Sequence, residues 1–394
     1  MQAFLSLLKG KKVNVKPLIS AVFSIGEAEK AYDLLIRGEK RRLGILLKYD
    51  SSKYVSAAGK IALPERVIEI SSKAVKGKIN VAVIGAGSFA KGVLLPLMSK
   101  IPDYNLRAIV SATGIKAKQT ALKYGAEYCT TDYKEVLEDE KVDLVIITTR
   151  HNLHYLMIVD AAKAGKAIYV EKPMCLREKE LGKIVKVISE TRVPLVVGFN
   201  RRYSPLSVKA KELLKQKHSP YLINYRVNAG FIPKTHWVQD PEVGGGRIIG
   251  ECCHFFDLFN YLIESNVENI TVETIPVNDS TVVANDNVAI TIRWKDGSLT
   301  VLTYTSLGHA GLPKERIEIF VNGSSIVIDN FRKMRLFGFK EKDVTLKRED
   351  KGHFQQLVEL ARLLKGEKSN IVSFQEYIKA MKITFKTWNT MRSS

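Results

Sequence analysis

Cysteine is scarce in this sequence of 394 residues, with only Cys129, Cys175, Cys252 and Cys253. No pair is spaced Cys-x-x-Cys, so neither a disulfide framework nor a zinc ribbon is indicated. Adjacent residues such as Cys252 and Cys253 point in different directions and rarely close one metal tetrahedron, so no metal is expected. Chains so poor in cysteine suit a reducing compartment, and the expected location is cytoplasmic. No apolar run reaches the ~20 residues a membrane helix needs. The short run Phe4-Leu5-Ser6-Leu7-Leu8 has no positive segment before it and no clear cleavage site after it, so it is not read as a signal peptide. Acidic residues are also in deficit, 41 against 61 basic, for a formal charge of +20. Of these, 16 basic and 7 acidic residues fall within residues 1–78, and the remaining excess is spread along the chain. Basic runs interleaved with aromatics are missing, as is any RNA-binding signature. The excess therefore reads as a solvated surface with some bias toward anionic ligands, not as a nucleic-acid or membrane interface.

What is present is a strand, a tight turn and a helix in the order dinucleotide binding requires. Ile79, Val81, Val83 and Ile84 form a β-branched apolar run. Gly85, Gly87 and Ala90 follow in the spacing Gly-x-Gly-x-x-Ala, and Val93, Leu94, Leu97 and Met98 continue at helical spacing. The first glycine makes the turn, the second admits the pyrophosphate to the backbone, and the alanine lets helix pack on strand. The N-terminus of the helix read over Lys91–Lys100 presents free N–H groups and a partial positive charge to phosphates.

The rest of the dinucleotide domain can be followed in order. Leu106–Val110 reads as the second strand and ends in Ser111-Ala112-Thr113, where most NAD-binding domains place an acidic residue for the ribose hydroxyls. Hydroxyls there, with Lys116 and Lys118 beyond, tolerate a 2′-phosphate, so the expected cofactor is NAD or NADP. Residues 126–129 read as a third strand, 133–137 as the start of a helix, and 142–147 as a fourth strand. That strand ends in Thr148-Thr149-Arg150, beyond the carboxyl end of the sheet, where ligands bind. His154 opens the next helix, and strand 167–170 delivers Glu171-Lys172-Pro173.

On either side the pattern differs. In residues 1–50, Val13-Asn14-Val15 and Leu43–Tyr49 read as strands. Ser24–Glu27 reads as a helix start, with Ala28, Ala31, Tyr32 and Leu35 on one face and Gly38 as its stop. Residues 51–77 read as a linker. After Asn200 come strands at 221–228, 266–277, 288–294, 298–305, 316–321, 325–328, 335–339 and 344–346, with Asp296-Gly297 as a hairpin turn. Two apolar stripes, Phe354 to Leu364 and Tyr377 to Trp388, are explained by helix packing. The expected organisation is an appendage and linker (1–77), a Rossmann dinucleotide-binding domain (78–198), and an α+β substrate and oligomerisation domain (199–394). The last has a mostly antiparallel open sheet and C-terminal helices; the fold class is α/β.

From about Ile79 onward the chain resembles the glucose–fructose oxidoreductase / inositol dehydrogenase family (Gfo/Idh/MocA). The matching residues are Gly85–Ala90, His154, Gly165-Lys166, Glu171-Lys172-Pro173, Gly198–Tyr203, and Gly244-Gly245-Gly246 followed by His254 and Asp257. Residues 11–49 resemble the last segment of a zinc-type medium-chain alcohol dehydrogenase, without its zinc-ligand cluster. That order of segments is similar to bi-domain oxidoreductases. The resemblance implies hydride transfer between a nicotinamide and a secondary alcohol or ketone of a sugar, sugar nucleotide or polyol. It also implies a dimer or tetramer formed through the antiparallel sheet. One position departs from the pattern: family members usually carry Asp four residues before the histidine, and here Gly250 stands there with Glu251 beside it.

The candidate chemistry rests on few residues. An ammonium at Lys172 can bind the substrate hydroxyl and stabilise an alkoxide. His254 has the side chain suited to accept the proton. Glu251 is the available carboxylate. Cofactor contacts are expected from Gly85, Gly87, Ser88, Phe89, Ala90, Ser111, Thr113, Thr148, Thr149, Arg150, His154, Glu171 and Lys172. Substrate contacts are expected from Asn200, Arg202, Tyr203, His236, Trp237 and Arg247. The alternative is a non-catalytic dinucleotide-binding sensor or partner subunit, which Gly250 and the orphan N-terminal segment favour.

Overall fold

A computed structural model describes residues 75–218, 220–275 and 283–393, together with 10, 12–24, 27, 30, 31, 34 and 44–48 nearer the N-terminus. The chain divides into two compact units, Met1–Glu69 and Ile70–Ser394.

In the first unit, β1 (Ile19–Ser24) and β2 (Gly44–Lys48) pair in parallel. The expected strand at Val13-Asn14-Val15 does not form. Pro17 locks its own φ and has no N–H for a ladder, and the Val15 carbonyl instead accepts from the Leu18 amide at 3.0 Å, closing a turn over Lys16–Leu18. Lys30, Ala31 and Leu34 are helical, as expected. Ala28, Tyr32, Leu35, Gly38, Leu43, Tyr49 and the linker through residue 74 lie outside the described residues.

The second unit contains two sheets. The first runs β3 (Ile79–Ile84), β4 (Tyr104–Val110), β5 (Tyr128–Thr130), β6 (Leu144–Ile147), β7 (Ala167–Val170) and β8 (Leu195–Val197), all neighbours parallel. Every residue of β6, β7 and β8 is buried, as expected for a parallel sheet covered on both faces. Spatial order is β5-β4-β3-β6-β7-β8. The direction of winding reverses between β3 and β6, which opens a crevice beyond their carboxyl ends.

The second sheet contains β9 (Leu222–Asn228), β10 (Val267–Thr274), β11 (Val288–Trp294), β12 (Leu299–Thr305), β13 (Glu315–Val321), β14 (Ser324–Asp329), β15 (Lys333–Phe337) and β16 (Val344–Thr345). Its order is β10-β11-β12-β9-β13-β14-β15-β16, antiparallel except where β12 meets β9. Residues alternate between buried and exposed along β11, so one face packs on helices and the other stays open. Gly297, at φ +87°, makes the turn that joins β11 to β12.

The last helices bridge the two sheets. Leu357, Leu360 and Leu364 of helix His353–Leu364 sit in the core of the parallel sheet, with Tyr377 and Met381 of helix Phe374–Ser393. The Tyr104 hydroxyl donates to the Leu357 carbonyl at 2.7 Å, and the Gln356 amide donates to Val197 at 2.8 Å. Farther along, Ile383 and Met391 join the core of the second sheet. Among the described residues no helix is long and apolar enough to cross a membrane.

Candidate active site

The glycine turn after β3 forms one wall of the crevice. Gly85 has φ +100°, and a Cβ there would lie 2.8 Å from the backbone of Thr148 and Thr149. Glycine is therefore required both for conformation and for close approach to the end of β6. The Thr148 hydroxyl donates to the Gly85 carbonyl at 2.6 Å and fixes the two strand ends to each other. Over Gly87 the space is open: a Cβ would meet nothing nearer than Gly85 O at 4.0 Å. Ser88 and Phe89 start the helix, Ala90 is buried against the sheet, and a single π-turn spans Ala90–Leu94 before the helix continues as Leu95–Met98. The residues present fit a dinucleotide: an exposed glycine, free helix-start amides, and a buried small residue where helix meets strand. At the end of β4, Ser111 is half-buried and Thr113 exposed, and Thr113 precedes helix Gly114–Tyr124.

The turn after β7 supplies the ammonium. Lys172 Nζ donates to the Gly250 carbonyl at 3.1 Å. Gly250 lies in a second π-turn, Ile248–Cys252, which leads into helix Cys253–Ile263 and so carries His254. Lys172 does not pair with Glu171. That carboxylate accepts from Tyr169 at 2.9 Å, and burial pushes it up to about 7 against the pull of Lys172. The Lys172 charge also opposes protonation of His151, His154, His254 and His353.

His254 is nearly buried, beside Phe199 at 5.9 Å, and its Nδ1 has no partner. Burial, with Arg201 and Lys172, holds it well below the usual histidine range, so it is neutral at neutral pH. Glu251 is placed differently from its expected role. One oxygen accepts from the Tyr304 hydroxyl at 2.5 Å and faces Arg247, and the other accepts from Lys314 at 2.6 Å. Burial raises this carboxyl, but Lys314, Arg247 and Lys172 outweigh it and hold the group at about 2. It is an ionised anchor for cations, and no hydrogen bond to His254 is found among the described residues.

Several expected substrate contacts have structural tasks instead. Arg202 forms a buried fork with Asp257, with one bond at 2.8 Å. The Asn200 amide donates to the Lys351 carbonyl at 2.8 Å, and Tyr203 is buried. Arg247 is 2% exposed and binds Tyr304 and the Gly230 carbonyl. The donors of Asn200, Arg202 and Arg247 are engaged by acceptors from other elements, whereas the buried Tyr203 hydroxyl has no hydrogen-bond partner among the described residues. His154 has no exposed surface; its ring nitrogens face the carbonyls of Pro173 at 2.8 Å and Thr149 at 3.2 Å, so it joins the two strand-end turns. His236 and Trp237 stay on the open side, where Arg150 lies 5.8 Å over the Trp237 ring. Cys252 packs into the second core and Cys253 into the first.

Sequence reasoning passed over His151, Tyr304, Lys314 and His353. His151 follows Thr148-Thr149-Arg150 directly, so a signal was available. Tyr304 and Lys314 arrive from separate strands, and His353, whose ring lies 5.8 Å from Phe89, comes from the C-terminal helix.

Residues 79–199 match the oxidoreductase family with NAD-binding Rossmann fold of the Gfo/Idh/MocA group, and residues 208–327 match the Gfo/Idh/MocA C-terminal domain. The chain belongs to the Gfo/Idh/MocA oxidoreductases. Both matched regions lie after residue 78, so they leave the N-terminal unit outside. A curated Gfo/Idh/MocA relative, a myo-inositol 2-dehydrogenase of Thermotoga maritima, is 26% identical over 259 residues, covering 64% of this chain and 76% of that one. The scyllo-inositol 2-dehydrogenase (NAD(+)) of Bacillus subtilis is 30% identical over 199 residues, 49% of this chain and 56% of that one. Among solved structures, the WlbA dehydrogenase of Chromobacterium violaceum, in complex with NADH and UDP-GlcNAcA, superposes with TM-score 0.72 at 21% identity. The match covers 82% of this chain and 96% of that one and shows a shared fold. This Gfo/Idh/MocA chain is thus an oxidoreductase built on an NAD-binding Rossmann domain.

Proposed function

We propose that the chain oxidises a secondary alcohol of a polyol or sugar, or reduces the matching ketone, with NAD or NADP. The observation that carries this reading is the Lys172–Gly250 hydrogen bond, which puts an ammonium from the dinucleotide sheet next to the helix that bears a neutral His254. Gly85, Gly87 and the amides at Ser88 and Phe89 would hold the diphosphate. When bound, the nicotinamide supplies the hydride acceptor. Lys172 binds the substrate oxygen and stabilises negative charge on it as the proton leaves. His254, neutral and beside that oxygen, accepts the proton. Arg150 and Trp237 give the open side a cation and a ring face for a sugar. Relatives named as inositol dehydrogenases support a polyol. No acidic residue follows β4 at Ser111-Ala112-Thr113, which supports acceptance of either nicotinamide form. Assembly through the open sheet face, where Leu222 and Phe320 are each 39% exposed, belongs to the same proposal.

The test is cofactor absorbance at 340 nm while the protein meets a panel of inositols, aldoses and sugar nucleotides with each nicotinamide form. Reduction with one member supports the reading. Tight cofactor binding without turnover on any member supports the alternative, a non-catalytic sensor or partner subunit, which the bare Gly250 and the engaged Glu251 favour.

A further inference from the structure

Position 250 has no side chain, and the structure shows what fills its place. A Cβ built on Gly250 would lie 3.1 Å from His151 Cε1 and 3.4 Å from His151 Nδ1. The imidazole therefore covers the α-carbon of the residue whose carbonyl receives Lys172. Three contacts hold the ring. Its Nδ1 is 2.7 Å from the Gly244 carbonyl, Trp237 meets it edge-on at 4.9 Å, and His154 lies at 5.7 Å. Trp237 and Gly244 both belong to the loop between β9 and the π-turn, and the Asn152 amide fastens that loop by donating to Val243 at 3.1 Å.

The tautomer follows from these partners. A carbonyl only accepts, so Nδ1 carries the hydrogen. Burial, then the charge of Lys172, keeps the ring neutral with a pKa near 3. In a neutral ring protonated at Nδ1, Nε2 is a bare acceptor. Nε2 has no hydrogen bond among the described residues, and it is not among the fully buried atoms without a partner, so it keeps contact with solvent. The carboxylates around it are engaged, Glu251 by Tyr304 and Lys314 and Glu171 by Tyr169, and His254 is reserved for the reacting hydroxyl. A polyol placed on Lys172 brings hydroxyl donors that need an acceptor.

We infer that His151, whose ring occupies the place a side chain at position 250 would take, is a substrate-binding residue: its Nε2 accepts a hydrogen bond from a hydroxyl of the polyol bound at Lys172. The inference rests on the dehydrogenase reading above and names the substrate class as polyols with a second hydroxyl next to the reacting one.

The test compares His151→Asn with His151→Gln. The Asn amide can keep the bond to Gly244 but has no atom at the Nε2 position, whereas the Gln amide oxygen reaches it. KM for the active polyol and the NADH dissociation constant, by nicotinamide fluorescence, are measured for each. The expected result for His151→Asn is KM raised about 10- to 100-fold, the range for an unmade hydrogen bond in a closed site, with NADH affinity unchanged. His151→Gln should stay within about threefold of the parent. Unchanged KM in His151→Asn overturns the inference and leaves the dehydrogenase reading standing. A parallel loss of NADH affinity also overturns it, by assigning the ring to the cofactor. A parent protein that reduces neither cofactor with any polyol overturns both.

Discussion

Lys172 Nζ lies 3.1 Å from the carbonyl oxygen of Gly250, a residue 78 positions later in the chain. The turn after β7 and the π-turn ahead of His254 are joined at this point, and the crevice between the two sheets acquires both a positive charge and an imidazole. Ammonium and imidazole are thereby carried by two elements that this hydrogen bond ties together.

Lys172→Met should lower turnover by about 100-fold or more, the usual cost of losing one charged stabiliser of a developing oxyanion. NADH affinity should stay near the parental value if, as proposed, Gly85 and Gly87 hold the diphosphate. Steady-state rates and a fluorescence titration give both quantities. Parental turnover in Lys172→Met and in His254→Asn would remove the pair from the chemistry.

The acid limb of kcat/KM should lie well below pH 6.5. Proton acceptance requires neutral His254, and burial with Arg201 and Lys172 keeps it neutral down to low pH. A rate profile between pH 4 and 8 checks this. A limb centred at 6.5 or higher would mean that a different group governs the rate.

Gly85→Ala should weaken cofactor binding by about tenfold or more, since φ +100° is strained for any residue with a Cβ and that carbon would meet the Thr148 carbonyl group. Gly125→Ala is the control. It has φ +71° but open space around it, so it brings local strain far from the crevice. Equal NADH affinity in the two variants would detach the turn from the cofactor.

Arg202→Met should destabilise the fold by about 3–5 kcal/mol, because it leaves the fully buried Asp257 carboxyl, already pushed up by burial, without its partner. Chemical denaturation measures the loss. A variant of parental stability with a raised KM would return Arg202 to the substrate site.

Glu251 gives a stability signature in acid. Its folded pKa, about 2, lies below that of an unfolded glutamate, so its contribution is complete above ~4.3 and is lost as pH falls toward 2. Glu251→Gln should therefore be less stable than the parent at pH 7, with the gap narrowing as pH drops through 4 and 3. Denaturation curves at those three values check it, and a constant gap would show that the carboxylate charge has no part in the anchor.

Local patterns were legible where they were long enough. β11 was read to its exact ends, because seven alternating residues precede an Asp-Gly turn that only a hairpin satisfies. Val13-Asn14-Val15 was misread because three residues cannot separate a strand from an extended approach to a proline turn. Asn200, Arg202 and Arg247 carry donors, as the sequence shows, yet their acceptors lie on other elements. Arg202 and Asp257 are 55 positions apart, and no local pattern announces which carboxylate a buried guanidinium will meet.

By itself the sequence determined the strand, glycine turn and helix from Ile79 to Met98, the turn that carries Lys172, and the alternation of the second sheet. Each depends on steric and hydrophobic preferences acting within a few residues. Only the tertiary structure decided that Lys172, His254 and His151 share one crevice, that Glu251 turns away to Lys314, and that the helix beginning at His353 closes against Phe89. Those neighbours are set by how two separate cores pack through helices common to both, and packing of that kind is a property of the whole chain.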